Sequence, residues 1–148
     1  MSADATGYTI VRDFAAPLDL VYEAFTTPEH FAVWWGGSSV RVPVESIHMD
    51  ARTGGTWKAT MIGEGWSIDW VGEYPLVEPP RHIVMSLTDT PDDPARDHFD
   101  IALEPIQGGT RVTLRQYGGN LTAEQYEQTR IGTNTFLDAL EAHLATLA

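Results

Sequence analysis

The chain opens with alternation. In YTIVRDF, residues 8–14, Tyr8, Ile10 and Phe14 fall on one face of a strand. The period then lengthens. Within PLDLVYEAF, Leu18, Val21, Tyr22 and Phe25 recur at the i, i+3, i+4, i+7 spacing of one helix face, and Pro17 suits the first helical position. Thr27 and Pro28 restart a second short helix as capping residue and first-turn proline, with Phe31, Trp34 and Trp35 as its apolar positions. Gly36-Gly37 ends it, because the left-handed backbone of a C-cap costs glycine nothing. Neighbouring helical residues point ~100° apart. Trp34 is therefore expected against the first helix and Trp35 at the mouth of any cavity.

Beyond residue 40 the period is two. VPVESIH (42–48) reads as a weak strand and DARTGG (50–55) as a turn. TWKATM puts Trp57, Ala59 and Met61 on one face. In GWSIDWVGEY, Trp66, Ile68, Trp70, Gly72 and Tyr74 alternate with Ser67, Asp69, Val71 and Glu73. Pro79-Pro80 forces a break, RHIVMSL offers Ile83, Met85 and Leu87, and PDDPARD reads as a turn or loop. HFDIALE offers Phe99, Ile101 and Leu103, and Gly108-Gly109 turns a hairpin into TRVTLRQY with Val112 and Leu114. The last element is a long helix. Thr122 with Gln125 forms a capping box, and Tyr126, Thr129, Thr133, Phe136, Leu137, Leu140, Leu144 and Leu147 make its stripe. One strand, two short helices, about six strands and a long helix give an α+β chain. Its curved antiparallel sheet has one apolar face, and only the final helix is long enough to cover it. Without repeats or a linker, residues 1–148 read as a single domain whose first seven residues form a flexible amino terminus.

Composition removes several function classes. A formal charge of −12, with nine Lys and Arg spread along the chain, leaves no basic surface for nucleic acid or an anionic membrane. With no cysteine there is no disulfide, thiolate nucleophile or cysteine zinc site. MSADATGY lacks the basic start and apolar stretch of a signal peptide, and no apolar run nears the ~20 residues of a membrane span. A cytoplasmic setting is the expectation. Asn120-Leu121-Thr122 matches the glycosylation pattern but is read as helix-start chemistry.

Five stretches, WWGG, RTGGTW, GEYPLVEPPRHIVMS, GGTRVTL and IGTNTFLDALEAHL, come in the order and spacing of the Hsp-90 ATPase activator-like proteins. The chain resembles that family, part of the START-like or SRPBCC superfamily, from about residue 8 to 147. The resemblance implies a helix-grip fold with a cavity between the sheet and the C-terminal helix. Across the superfamily such cavities hold hydrophobic ligands, and in some branches they host polyketide cyclisation. In the eukaryotic namesake the domain helps a co-chaperone engage its chaperone. Two positions depart from the family pattern. Gly132-Thr133 stands where a Gly-Trp pair is common, and Gln116 where a histidine often sits. The first change enlarges or polarises the cavity; the second removes a titratable group.

Candidate chemistry is sparse. Among His30, His48, His82, His98 and His143, no pair has metal-site spacing. His82 and His98 take the outward parity of their strands, His143 is expected to be exposed, and His48 beside Asp50 is an acid–base candidate only if burial shifts it. There is no G-x-S-x-G elbow, no P-loop and no G-x-G-x-x-G. Asp69 and Glu73 face outward, while the parity of Glu45 is ambiguous. No residue receives a catalytic or metal-binding role and no cofactor is implied. The expected occupant is a hydrophobic or aromatic small molecule, lined by Trp35, Trp57, Met61, Trp70, Met85, Phe99 and Phe136 with Gln116, Thr129 and Thr133 as polar points. Trp57 and Trp66 read first as core and second as pocket wall, Trp70 equally as either, and Arg41 either neutralises an acidic ligand or is an ordinary surface arginine. Two alternatives stand beside this reading. One is a chaperone-associated interaction module, which requires an exposed patch at Trp34 or Trp35. The other is a cyclase-like or hydrolase-like enzyme, which requires His48 or Glu45. Both monomer and homodimer are compatible with the sequence.

Overall fold

A computed structural model describes residues 7–37 and 40–147. The rest of the expected flexible amino terminus lies outside the described residues, and Gly7 already opens the first strand. In chain order the elements are strand β1 (Gly7–Phe14), helices α1 (Leu18–Thr26) and α2 (Pro28–Trp34), strands β2 (His48–Met49), β3 (Thr56–Gly63), β4 (Trp66–Glu73), β5 (Leu76–Glu78), β6 (His82–Leu87), β7 (Asp97–Ile106) and β8 (Gly109–Tyr117), and helix α3 (Ala123–Leu147). The predicted order holds, with local corrections. The weak strand at 42–48 is instead a 3-10 turn at Val44–Ser46 followed by two-residue β2. Ser46 Oγ donates to the Pro43 carbonyl at 2.7 Å and accepts the Thr60 N–H at 3.1 Å, so the turn is tied to β3. β5, too short to show a period, is not in the sequence reading.

All pairings are antiparallel. Strands β5 to β8 form a meander and β1 returns to lie beside β8, giving the order β1-β8-β7-β6-β5; β2-β3-β4 form a second ladder. The two ladders meet where β4 reaches β6: Val71 N–H donates to Thr88 O at 3.1 Å and Thr88 N–H to Val71 O at 2.9 Å. Gly72 makes that approach possible, since a Cβ there would collide with the Ser86 carbonyl and the Trp57 indole.

The sheet buries one face against α3. Ile10, Ile101, Leu103, Val112 and Leu114 share a core with Leu137, Leu140 and Leu144 of α3 and with Val21, Ala24 and Phe25 of α1. The capping box forms as expected, with Thr122 N–H on Gln125 Oε1 at 2.9 Å and Gln125 N–H on Thr122 Oγ1 at 3.1 Å. The helix's apolar stripe ends at Leu144; Leu147 is 40% exposed. Trp66 also departs from its expected interior place. It pairs with Gly63 at the outer end of the β3–β4 hairpin and is 46% exposed, because its ring lies over a glycine and not over the core.

Candidate functional site

The site begins where α2 stops. Gly36 and Gly37 adopt φ of 88° and 81°, the left-handed backbone the sequence calls for. Trp34, the last helical residue, is buried against α1; its Nε1 donates to the Ala24 carbonyl at 2.7 Å and its ring meets Phe25 edge-on at 5.1 Å. Trp35 is the C-cap, with ψ of 126°, and so has left the helix. The ~100° rule for helical neighbours therefore does not bind it. Its ring stacks on Phe31 at 4.8 Å and meets Phe136 at 5.2 Å, Phe99 at 6.1 Å and Trp70 at 6.3 Å. Trp35 is thus an inner wall, only 3% exposed, and not the exposed rim its position suggests.

Beyond that wall lies a cavity of about 610 Å³ between the sheet and the first half of α3. Trp35, Trp70, Phe99 and Phe136 supply its aromatic side, and Gln116, Thr129, Gly132 and Thr133 its sheet-to-helix polar side. Asp89, Asp93 and Asp97 also line it, whereas no Lys, Arg or His among the described residues does. Three of the expected lining residues lie elsewhere. Trp57, Met61 and Met85 are core residues, 1%, 5% and 2% exposed, and do not reach the cavity. Trp57 Nε1 is held by the Ser86 carbonyl at 2.8 Å, turning the ring toward the β4–β6 crossing.

A buried polar chain forms the floor. Tyr8 O–H donates to Gln116 Oε1 at 2.6 Å and lies 2.6 Å from Thr133 Oγ1. Gln116 Nε2 donates to Asp97 Oδ2 at 2.6 Å. Asp97 Oδ1 accepts Asn120 Nδ2 at 2.6 Å and the Tyr126 hydroxyl at 3.1 Å. The chain thereby ties β1, β7 and β8 to α3. Burial pushes the Tyr8 phenol well above its ordinary range, with the Asp97 charge adding to the rise and the Thr133 hydrogen bond opposing it. Asp97 is the member the sequence reading missed. As the last residue of PDDPARD it reads as loop, yet it opens β7 at 8% exposure. The available signal was its parity with Phe99 and Ile101.

The remaining candidates do not converge. His48, Glu45 and Arg41 are exposed and outside the cavity. Asp69 and Glu73 are exposed as expected, accepting Thr60 Oγ1 at 2.8 Å and Ser86 Oγ at 2.6 Å. His82 is half-buried, 2.7 Å from Asp100, and His98 stacks on Tyr117 at 5.2 Å. His143 is half-buried rather than exposed, its Nε2 2.8 Å from His30 Nδ1, so α2 and α3 meet through two imidazoles that no sequence spacing links. Among the described residues no three metal-ligating side chains cluster. Two donors in the cavity wall are left over: the indole N–H groups of Trp35 and Trp70 are buried without a partner.

An antiparallel sheet closing on a long carboxy-terminal helix, with a hollow between them, defines a helix-grip α+β protein. The Activator of Hsp90 ATPase homolog 1-like protein family matches residues 15–145, and the chain belongs to that family. Solved structures agree on the fold. A Nitrosomonas europaea protein, 22% identical, superposes with a TM-score of 0.82 over 100% of this chain and 99% of its own. The AHSA1 protein of Silicibacter pomeroyi, 24% identical, gives 0.82 over 96% and 99%. A Chromobacterium violaceum protein, 23% identical, gives 0.81 over 94% and 96%. No curated protein matches the sequence. No described helix is long and apolar enough to cross a membrane.

Proposed function

We propose that this protein binds a hydrophobic or aromatic small molecule in the cavity between the sheet and α3, in the cytoplasm. The observation that carries the reading is a cavity of about 610 Å³ walled by Trp35, Trp70, Phe99 and Phe136. An occupant buries its own apolar surface against these rings. An enzymatic role has less support. Asp97, the buried carboxyl at the floor, is held by three donors, and His48 and Glu45 lie on the exterior. A chaperone link is what the family's name suggests for a partner. However, the patch it required is missing, since Trp34 and Trp35 are each 3% exposed.

Native mass spectrometry of freshly purified protein, with solvent extraction of what co-purifies, tests the reading. An apolar adduct is expected on the natural protein and is expected to be lost in Gly132→Leu and Thr133→Trp, which fill the cavity from α3. A bare mass together with no heat of binding for a panel of aromatic and acyl compounds would overturn it.

A further inference from the structure

We propose that the cavity selects an apolar ligand carrying a protonated amine, with the ammonium seated against Asp97; this rests on the small-molecule reading above. The argument is one of hydrogen-bond polarity. An ionised carboxylate accepts about four hydrogen bonds through its two oxygens. Asp97 receives three: two on Oδ1, from Asn120 and Tyr126, and one on Oδ2, from Gln116. Oδ2 keeps an open acceptor position beside the cavity. The Gln116 amide cannot reverse to fill it, because its oxygen would then face the carboxylate and lose the Tyr8 donor.

Thr133 points to the same chemistry. Tyr8 has one hydroxyl hydrogen, given to Gln116 Oε1, so Thr133 must be the donor in its 2.6 Å contact with Tyr8. The Thr133 oxygen therefore presents lone pairs, and the polar floor offers acceptors on both sides. A group with several donors and no acceptor fits it, and an ammonium is such a group.

Charge and aromatic surface agree with that polarity. Asp89, Asp93 and Asp97 line the cavity without a cation among them. The nearby arginines are tied to protein groups, Arg96 Nη1 donating to the Asp93 and Ala95 carbonyls. Arg96 is ion-paired with Glu73 at 3.4 Å, Arg130 is hydrogen-bonded to Glu127 at 3.0 Å, and neither lines the cavity. A carboxylate ligand would meet three lining carboxylates and no lining cation among the described residues. Trp35, Trp70, Phe99 and Phe136 present ring surface to whatever enters, and aromatic faces attract an organic cation.

Calorimetric titration with three probes sharing one apolar body tests the head group: naphthylmethylamine, naphthylmethanol and naphthoate, at about pH 7 where an alkyl amine is protonated. The amine is expected to bind about tenfold more tightly than the alcohol, since one charge-assisted hydrogen bond is worth that much, and the carboxylate least tightly. Asp97→Asn is expected to bring the amine-to-alcohol ratio near one. Should that variant fold poorly, salt gives the same readout on the natural protein: added salt must weaken the amine and leave the alcohol where it was. Naphthoate binding as tightly as the amine, or an amine-to-alcohol ratio indifferent to both Asp97→Asn and salt, overturns the head-group assignment alone. If none of the three probes binds, the head-group assignment falls; the small-molecule reading falls with it only if the natural protein also shows a bare mass and no heat with the aromatic and acyl panel.

Discussion

The two halves of α3 face the same sheet and do opposite things. From Leu137 onward the helix inserts Leu137, Leu140 and Leu144, each 3% exposed or less, and the space is filled. Before that it presents Thr129, Gly132, Thr133 and Phe136 to a cavity. The difference is side-chain volume. A Cβ added at Gly132 would meet nothing within 4 Å, so the hollow reaches the helix backbone itself. What closes the first half is hydrogen bonding: Thr133 to Tyr8, then Gln116 and Asp97. One half of the helix is held by packing, the other by a polar chain around a void.

The contrast breaks most sharply in the packed half. Leu140, 0% exposed, truncated in Leu140→Ala should cost about 2–5 kcal/mol, read as a lower urea midpoint with an unchanged slope. In the hollow half, Tyr8→Phe should cost about 1–3 kcal/mol, because the buried Gln116 oxygen loses its donor. Tyr8 also gives a pH signature. Its folded-state value lies above the ordinary 10.0, so its contribution is fully present below pH 10.0 and is lost as pH rises beyond it. Unfolding curves across alkaline pH should fall less steeply in Tyr8→Phe than in the natural protein; Tyr74, raised by its own burial, keeps a residual slope. Gly132→Ala should go the other way and stabilise by about 0.5–1 kcal/mol, since a helical glycine is replaced where open space receives the methyl. A loss of stability there would mean that the cavity is collapsed in solution.

The smallest effect lies where α2 meets the packed half. Burial and the neighbouring His30 depress His143 below the ordinary 6.5. The native state therefore binds fewer protons than the unfolded chain. The stability is complete above pH 6.5 and is lost as pH falls from there through the lower folded value. His143→Gln should flatten the pH dependence of the urea midpoint over that acidic window, on top of a shift common to all pH values from the lost His30 contact.

Most of the frame could be read from periodicity, because burial on one face imposes period two on strands and a 3.6-residue period on helices. The capping box at Thr122–Gln125 and the glycine stop at residues 36 and 37 were legible for the same local reason. The site was legible only in part. Alternation tells which face Trp57, Met61 and Met85 take but not whether that face meets a helix or a hollow, and all three meet the core. Trp66 alternates as well as Trp70 does, yet lies beyond the end of what the sheet covers. Asp97 was hidden because a carboxylate among aspartates and prolines reads as a loop, while its partners are 19, 23 and 29 positions away along the chain. The His30–His143 contact spans 113 positions and has no local trace at all.

The tryptophans have an optical consequence. Trp34 and Trp57 are fixed to backbone carbonyls in the core, and Trp66 looks out to solvent. Trp35 and Trp70 alone stand in the cavity wall with their N–H groups uncommitted. An occupant changes the surroundings of those two rings and leaves the other three as they were. The emission of the protein is therefore a built-in gauge with its own reference: filling the cavity should alter the part contributed by Trp35 and Trp70, while the red-emitting fraction from Trp66 stays constant.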